Sequence, residues 1–331
     1  MNEKRILFIG GSLNQTTIMY QIAQELPDFQ CHFTPFYADG YIRWLADRQL
    51  LNNTILGGAA MAATKKFLAQ HQLKVDYRGE KYDYDLVVVG TDTVTPQNLL
   101  TRKTILVQEG MIDPENWKYH MVRKLNLPRY IANTSTTGLS HCYEQFCVAS
   151  TGFKELFVAK GIPADKISVT GIPNFDNARA YAQNDFPEKD YVLAATSCLR
   201  ETFKYENRRK FILKALRIAN GRKLIFKLHP NEDHQRAIRE IKQLAPKSPI
   251  YTTGNIQHMI ANCSALVTKY SSVLMVALGL NKPVYSDLPE ELLQKMRPIQ
   301  NNGKSAKLIA SICRQYAGQS VENEPAVSLG I

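Results

Sequence analysis

The chain has 331 residues, 44% of them hydrophobic, and a formal net charge of +11. This length exceeds one ordinary core and suits two globular domains. Apolar runs stay well short of the roughly eighteen residues of a membrane span, and the N-terminus lacks a secretory signal, so we expect a cytoplasmic protein. The charge favours anionic partners, namely nucleotide phosphates, an anionic membrane surface or, least favoured because no binding motif is visible, nucleic acid.

The first half of the chain alternates short apolar runs with helical patterns. Strands are predicted at 5–9, 30–35, 86–89, 104–107, 145–149 and 166–169. Helices are predicted at 16–25, 41–51, 59–70 and 153–160. This alternation is typical of a parallel sheet covered by helices on both faces.

A second strand–helix series follows the breaker Gly171–Asn174. Its strands are predicted at 191–195, 224–228, 249–252, 265–268 and 283–285. Its helices are predicted at 207–219, 234–244, 256–261, 273–279, 290–295 and 305–316. We therefore predict an α/β protein with two facing, doubly wound, Rossmann-like domains. The predicted boundaries are an N-terminal domain at 1–173, a linker at 174–187, a C-terminal domain at 188–317 and a frayed tail at 318–331.

The N-terminal half offers one hydroxyl and two carboxylates at predicted strand ends. Ser12 follows Gly10-Gly11, which is either a simple tight turn or a loop that approaches a ligand. The sequence around it is not G-x-G-x-x-G, so a dinucleotide site is not predicted. Asp92 and Glu109 follow neighbouring strands, where a carboxylate can act as a general base or cap a turn. We favour Glu109 as the base and keep Asp92 as the alternative.

The stretch 111–143 has weak periodicity and a mixture of aromatic, basic and hydroxyl side chains. Loops of this length inside a compact domain are usually functional or disordered. We interpret it as an acceptor-binding segment, with Trp117, His120 and Arg123 as candidate contacts. A packed two-helix insertion is an equally weighted alternative.

The C-terminal half places hydroxyls, cations and one histidine at the ends of its strands. Anions bind where free N–H groups, hydroxyls and positive side chains meet, which suits a diphosphate. The candidate donor-nucleotide-binding residues are Ser12 of the N-terminal half and, in this half, Thr196, Ser197, Lys227, His229, Glu232, Lys269, Ser271 and Ser272. His229 is also a candidate catalytic residue. Each has a structural alternative, such as a helix cap for the hydroxyls. The six cysteines lack metal or disulfide spacing, so no metal site is predicted.

Several of these segments resemble the GT-B superfamily, in particular the branch that holds CDP-glycerol glycerophosphotransferases and UDP-N-acetylglucosamine 2-epimerases. The motifs that carry the resemblance are Leu228-His229-Pro230, Val169 to Pro173, Tyr270 to Val273, Ala277 to Gly279 and Lys282-Pro283. Their order and spacing cover roughly residues 86–286. The resemblance implies two facing Rossmann-like domains, with the donor nucleotide held mainly by the C-terminal one and no required metal. It places Ser271 and Ser272 at the donor diphosphate and His229 at the strand-tip His-Pro.

The chain departs from both families. The epimerases carry a Gly-Gly pair where this chain has Ser271-Ser272, and a His-Arg pair where it reads Thr196 to Arg200. Their acidic positions are matched by Asp92 and Glu109. The glycerophosphotransferases carry an Asp before the tandem serines, where this chain has Lys269-Tyr270. These differences leave the identity of the donor open.

From the residues and the resemblance together, we expect a metal-independent transferase. It moves a sugar, or a polyol phosphate, from a nucleotide-activated donor to a glycan or lipid-linked acceptor in cell-surface polysaccharide synthesis. The N-terminal domain is the expected acceptor side, and contact with the inner face of the membrane is left open. No cofactor is expected beyond the nucleotide-activated donor itself. The alternatives are a non-hydrolysing nucleotide-sugar 2-epimerase and a non-catalytic nucleotide- or glycan-binding protein.

Overall fold

A computed structural model describes residues 3–52, 54–202, 204–269 and 271–318. Tyr270, and the predicted tail apart from Gly318, lie outside these ranges. Most central strands of the two sheets are short apolar runs, because a parallel sheet buried on both faces requires apolar side chains on both sides. In the segment Leu86–Val89, for example, all four residues are buried.

The N-terminal sheet is parallel and has the strand order β2-β1-β3-β4-β5-β6. Its strands are β1 Arg5–Gly10, β2 Gln30–Pro35, β3 Leu86–Val89, β4 Thr104–Val107, β5 Gln145–Val148 and β6 Ile167–Val169. The helices of this half are α1 Leu13–Gln24, α2 Gly40–Asp47, α3 Gly58–Gln70, α4 Trp117–Leu125 and α5 Thr151–Ala159. The predicted strands and helices agree with these bounds to within a few residues, and α4 is additional.

The C-terminal sheet is also parallel and has the strand order β11-β10-β7-β8-β9. Its strands are β7 Val192–Ala195, β8 Leu224–Lys227, β9 Ile250–Tyr251, β10 Ala265–Val267 and β11 Val284–Tyr285. The helices are α6 Arg208–Ala219, α7 His234–Leu244, α8 Ile256–Asn262, α9 Val273–Gly279, α10 Glu290–Lys295 and α11 Ser305–Tyr316. The prediction of two doubly wound parallel sheets is confirmed.

Short 3₁₀ helices connect many of the regular elements. They span Tyr77–Gly79, Gln97–Leu99, Arg129–Thr136, Ala164–Lys166, Ala178–Ala182 and Arg200–Thr202. The one at Arg129–Thr136 packs against α4. The stretch 111–143 is thus a packed insertion in form. Within the described ranges, no helix is long and apolar enough to cross a membrane.

The last helix, α11, leaves the C-terminal sheet and packs on the N-terminal half. The Arg314 guanidinium pairs with the Asp28 carboxylate at 2.8 Å, beside α1. The Lys4 ammonium donates to the carbonyl of Ala317 at 2.7 Å. Asp176, in the connecting segment, accepts the backbone N–H of Ser305 at 2.8 Å. In sequence, α11 follows the strands of the C-terminal sheet. In space, it packs against the N-terminal half and so connects the two domains.

Both sheets reverse their strand order beside their first strand. In the N-terminal sheet, β1 lies between β2 and β3, and in the C-terminal sheet β7 lies between β8 and β10. Ligands of open α/β sheets bind outside the carboxyl ends of strands at such a switch point. A ligand site is therefore expected beside the residues that follow β1, β3, β7 and β10.

Candidate functional site

The turn after β4 presents Glu109 from the carboxyl edge of the N-terminal sheet. Gln108 braces this turn from inside the protein. Its amide nitrogen donates to the carbonyl of Gly110 at 2.8 Å, and its amide oxygen accepts the N–H of Ala149 at 2.9 Å. Gln108 is only 1% exposed. A buried side chain that bonds both its own turn and the next strand holds Glu109 in one position.

The Glu109 carboxylate accepts two hydrogen bonds from the start of α1. Ser12 Oγ donates to one carboxylate oxygen at 2.5 Å, and Gln15 Nε2 donates to the other at 2.6 Å. A Cβ at Gly11 would collide with the Gln15 amide, so glycine there makes room for this contact. Enclosure by protein raises the pKa of the Glu109 carboxyl, and the donors from Ser12 and Gln15 oppose that rise.

Ser12, a candidate contact to the nucleotide-activated donor, lies at the N-terminus of α1. Its hydroxyl caps α1 by accepting the N–H of Gln15 at 3.1 Å while it donates to Glu109. The hydroxyl is therefore committed on both sides. Its hydrogen bond orients the Glu109 carboxylate and stabilises the charged form of this candidate base.

Glu109 faces the C-terminal domain across a cavity of about 250 Å³. Ser271 and Ser272, which follow β10, line the opposite wall. The remaining lining comes from the N-terminal domain, at Gly90, Thr91, Gln108, Gly110, Met111, Ile112, Asp113, Thr134 and Thr137. We call this space the cleft cavity. It brings a carboxylate and two hydroxyls from different domains to one place.

Two contacts hold the walls of the cleft cavity together. A Cβ added at Gly110 would come within 2.5 Å of Ser272 Oγ, so glycine lets the two domains approach closely here without a shift of the Ser272 side chain. The Lys204 ammonium lies 3.2 and 3.3 Å from the two carboxylate oxygens of Asp113. Asp113 also accepts the Thr134 hydroxyl at 3.1 Å. Asp113 and Thr134 thus link the predicted acceptor segment to the C-terminal domain.

Asp92, the alternative base, has both carboxylate oxygens occupied by backbone. They accept the N–H groups of Gly138 and Ser140, each at 2.9 Å. The residue is 5% exposed. Glu109 accepts two hydrogen bonds as well, but Glu109 lines the cleft cavity and Asp92 does not, so Glu109 is the better placed candidate base.

Glu232 and Thr196 form a buried network at the ends of β7 and β8. Glu232 accepts hydrogen bonds from the Thr196 hydroxyl and from the backbone N–H of His229. Its other oxygen accepts from the Arg208 guanidinium at 2.8 Å, and Arg208 also pairs with Glu206. The side chain of Glu232 is 0% exposed. Thr196 and Glu232, which the sequence offered as candidate nucleotide-binding residues, thus lie in a buried network that fixes the strand tips.

Glu232→Ala should destabilise the protein by about 3 kcal/mol or more, because it leaves Arg208 with one fewer buried partner. Chemical denaturation of the variant and the wild type measures this loss. Asp233→Ala, which removes a neighbouring exposed carboxylate that caps α7, is the control and should cost about 1 kcal/mol. Unchanged stability combined with lost nucleotide binding would show that Glu232 instead contacts a ligand.

His229 and Lys227 lie at the tip of β8. The Asn231 N–H donates to His229 Nδ1 at 3.1 Å, so the neutral ring carries its proton on Nε2, which lies 3.8 Å from Cys198 Sγ. Burial, aided by Lys227, lowers the His229 pKa. Burial also lowers the pKa of Lys227, whose ammonium donates to the carbonyls of Leu228 and Thr252. His229 is thus a neutral donor, and Lys227 stabilises the strand tips.

Two buried hydroxyls at the C-terminal switch point have no hydrogen-bond partner among the described residues. They are Ser197 Oγ, after β7, and Thr268 Oγ1, after β10. The two residues are 5% and 1% exposed. Buried polar atoms are usually paired, so unpaired hydroxyls at a switch point are candidates for ligand contacts. Ser197 was expected from the sequence, and Thr268 was not.

The predicted acceptor contacts on α4 lie away from the cleft cavity. Trp117 is 67% exposed, and His120 and Arg123 are also exposed. Arg123 donates to the carbonyl of Lys160. The same segment supplies Asp113, Thr134 and Thr137 to the cavity instead. These polar residues gave no sequence signal beyond their hydroxyl-rich surroundings.

Among the described residues, no group of His, Cys, Asp and Glu is arranged to hold a metal ion. In sequence, no family model and no curated protein matches the chain. In three dimensions it is similar to several solved proteins. The UDP-GlcNAc 2-epimerase of Neisseria meningitidis bound to UDP-GlcNAc has a TM-score of 0.60 and 15% identity, covering 94% of this chain and 100% of that one.

Two further structures extend this comparison. MnaA of S. aureus with UDP gives a TM-score of 0.58 at 12% identity, covering 97% of this chain and 99% of that one. The wall teichoic acid polymerase TagF gives 0.51 at 12%, covering 97% and 90%. The Neisseria meningitidis protein is a UDP-GlcNAc 2-epimerase, one of the two families that the sequence motifs resemble. The chain therefore has the GT-B fold, with two Rossmann-like domains.

Proposed function

We propose that the protein is an enzyme that binds a nucleotide-activated sugar or polyol in the cleft cavity. The observation that carries this proposal is the placement of Glu109 and Ser271–Ser272 on opposite walls of one cavity. Two structural neighbours contain a uridine nucleotide, UDP-GlcNAc in one and UDP in the other. A donor diphosphate at the C-terminal wall would meet Ser271 and Ser272.

In this proposal the reaction is transfer to an acceptor hydroxyl. Glu109 takes the proton of that hydroxyl, and the C-terminal wall stabilises the charge that develops on the leaving phosphate. His229, neutral at physiological pH, donates from Nε2, and Lys269 adds positive charge after β10. The acceptor is a glycan or a lipid-linked glycan of the cell surface, and it enters beside Asp113 and Thr134.

The second candidate is a nucleotide-sugar 2-epimerase, which the name of one structural neighbour favours. Against it, the stretch after β7 carries no histidine. Its Arg200 is held by Glu240 on α7 at 2.7 Å, and its Thr196 is held by Glu232. Neither Thr196 nor Arg200 is therefore free for the role that the His-Arg pair of the epimerases implies.

Product analysis separates these candidates. Each nucleotide-sugar is incubated with the protein, with and without a glycan acceptor, and the products are resolved by chromatography and mass spectrometry. Transfer predicts release of nucleotide only when acceptor is present. Interconversion of nucleotide-sugars without acceptor would identify an epimerase. Binding without any product under either condition would identify a non-catalytic binding protein.

The acidic limb of the pH profile should report Glu109. The enclosed carboxyl has a raised pKa, so kcat/KM should fall as the pH drops through a value above that of an ordinary glutamate. Ser12→Ala removes a donor that lowers this pKa, so the limb should move to higher pH. The measurement is kcat/KM against pH for both proteins. A limb at the same pH in both would contradict the assignment of Glu109 as the base.

A further inference from the structure

The segment that connects the two sheets is fixed to the N-terminal half by Asn174. The amide nitrogen of Asn174 donates to Oδ1 and to the backbone carbonyl of Asn14, at 2.7 and 3.1 Å, and to the Thr17 hydroxyl at 2.9 Å. Its amide oxygen accepts Nε2 of Gln21 at 2.6 Å. Asn14, Thr17 and Gln21 all lie on α1. Both ends of the Asn174 amide are therefore bound to one helix, although Asn14 lies 160 residues away in the chain.

Asn14 continues this contact to the candidate base. Its Nδ2 group donates to the backbone carbonyl of Glu109 at 3.0 Å. Burial raises the Glu109 pKa, and the Asn14 donor opposes that rise, as do the donors from Ser12 and Gln15. Asn174 donates to the Asn14 amide and this amide donates to Glu109, so a chain of hydrogen bonds runs from the connecting segment to the turn after β4. Consecutive bonds in such a chain strengthen one another.

The same connecting segment also packs behind the opposite wall of the cleft cavity. Its 3₁₀ helix, Ala178–Ala182, packs against α9, which begins directly after Ser272. The approach is close, because a Cβ added at Gly279 of α9 would lie 3.0 Å from the Cβ of Ala178. The connecting segment therefore contacts the supports of both walls of the cavity, α1 on one side and α9 on the other.

We propose that Asn174 is a positioning residue for the transfer reaction, which holds Glu109 at the place that proton removal from the acceptor requires. This inference rests on the proposed function, since it concerns the geometry of the same site. Asn174 does not line the cleft cavity, so it acts through Asn14. A displacement of about 1 Å at a catalytic group can slow a reaction about a hundredfold, so a residue outside the cavity can control turnover.

Asn174→Ala should slow single-turnover transfer about tenfold to a hundredfold, while nucleotide affinity measured by calorimetry changes less than about twofold. Asn174→Asp keeps the shape of the side chain and the bond from Gln21 but cannot donate to Asn14, so it should show the same loss. Both variants should raise the Glu109 pKa, because the Asn14 donor is no longer held in place. NMR titration of the glutamate carboxyl carbons measures this pKa, with the signal assigned by its loss in Glu109→Gln.

The matched control is Asn177→Ala, which changes an exposed asparagine of the same segment whose side chain makes no capping bond. Turnover, nucleotide affinity and the Glu109 pKa should all stay at their wild-type values. The double variant Asn14→Ala, Asn174→Ala tests the path between the two residues. If Asn174 acts through Asn14, the double variant should transfer no more slowly than the slower single variant.

Two results would overturn the inference. One is an Asn174→Ala protein with wild-type turnover and an unchanged Glu109 pKa, and the other is a double variant in which the two losses multiply. The proposed function fails separately, if the wild type transfers nothing and binds no nucleotide. In that case the Glu109 pKa alone decides the structural link: a rise in Asn174→Ala supports the link, and no rise overturns it.

Discussion

Glu109→Gln should reduce turnover by about a hundredfold to ten-thousandfold, the range typical of a lost general base, while nucleotide binding persists. The glutamine keeps the size of the side chain and can still bond Ser12 and Gln15, but it cannot take a proton. The measurements are single-turnover transfer and nucleotide affinity by calorimetry. An active Glu109→Gln variant would contradict the assignment.

The same substitution should not lower thermal stability at neutral pH. The Glu109 pKa is raised in the folded protein, so its stabilising contribution is complete below the unfolded pKa and is lost as the pH rises through the folded value. At neutral pH the folded protein therefore bears the cost of an enclosed charge, which glutamine removes. A melting temperature equal to or above that of the wild type is the expected result.

Asp92→Asn is the matched control. It should lower the stability of the protein and leave the turnover nearly unchanged. The new amide group would face one of the N–H groups of Gly138 and Ser140, leaving a buried donor unpaired at a cost of about 1–3 kcal/mol. Turnover per folded molecule should stay near that of the wild type. Lost turnover with unchanged stability in Asp92→Asn would instead identify Asp92 as the base.

Ser271→Ala combined with Ser272→Ala should weaken nucleotide binding at least about a hundredfold. Each hydroxyl that bonds a charged phosphate contributes about 1.5–3 kcal/mol, and the pair acts on the same group. The Ser272 hydroxyl makes no capping bond to α9, so its removal should not disturb the helix. Calorimetric titration with the preferred nucleotide measures the effect.

The control for this pair is Ser248→Ala with Thr253→Ala, which removes two hydroxyls of the same domain outside the cleft cavity. Its nucleotide affinity should match that of the wild type. Unchanged nucleotide affinity in the Ser271→Ala, Ser272→Ala variant would show that these hydroxyls do not contact the donor. An equal loss in both variants would point to a general change in the domain.

The strands were predictable because parallel sheets demand short apolar runs, and turn residues bound each run. Predicted and observed strands differ by no more than a residue at either end, as for 224–228 against Leu224–Lys227. The helix α4 was expected only within the alternative of a packed two-helix insertion, because it buries only Tyr119 and Val122, which leaves little periodicity. The packing of α11 against the N-terminal half was not predicted, since its contacts with Asp28 and Asp176 join residues far apart in the chain.

The site was only partly predictable, because a polar residue at a strand end looks the same whether it faces a ligand or the fold. Glu109 and Asp92 both follow strands, yet only Glu109 lines the cleft cavity. Glu232 follows His229-Pro230 as a ribose contact would, yet Arg208 holds it in the interior. The support of Glu109 by Gln15 depends on the packing of α1 against the β4 turn, which no local pattern encodes.

The central claim is that the cleft cavity binds a nucleotide-activated donor. The most direct measurement is a thermal-shift screen of the wild type and the Ser271→Ala, Ser272→Ala variant against UDP-, CDP-, GDP- and CMP-linked sugars. A ligand at a hundred times its Kd stabilises the folded state by about 2.7 kcal/mol, which raises the melting temperature measurably. We predict stabilisation of the wild type by nucleotides of one base and little or none in the variant. No stabilisation by any nucleotide, or equal stabilisation of both proteins, would contradict the account.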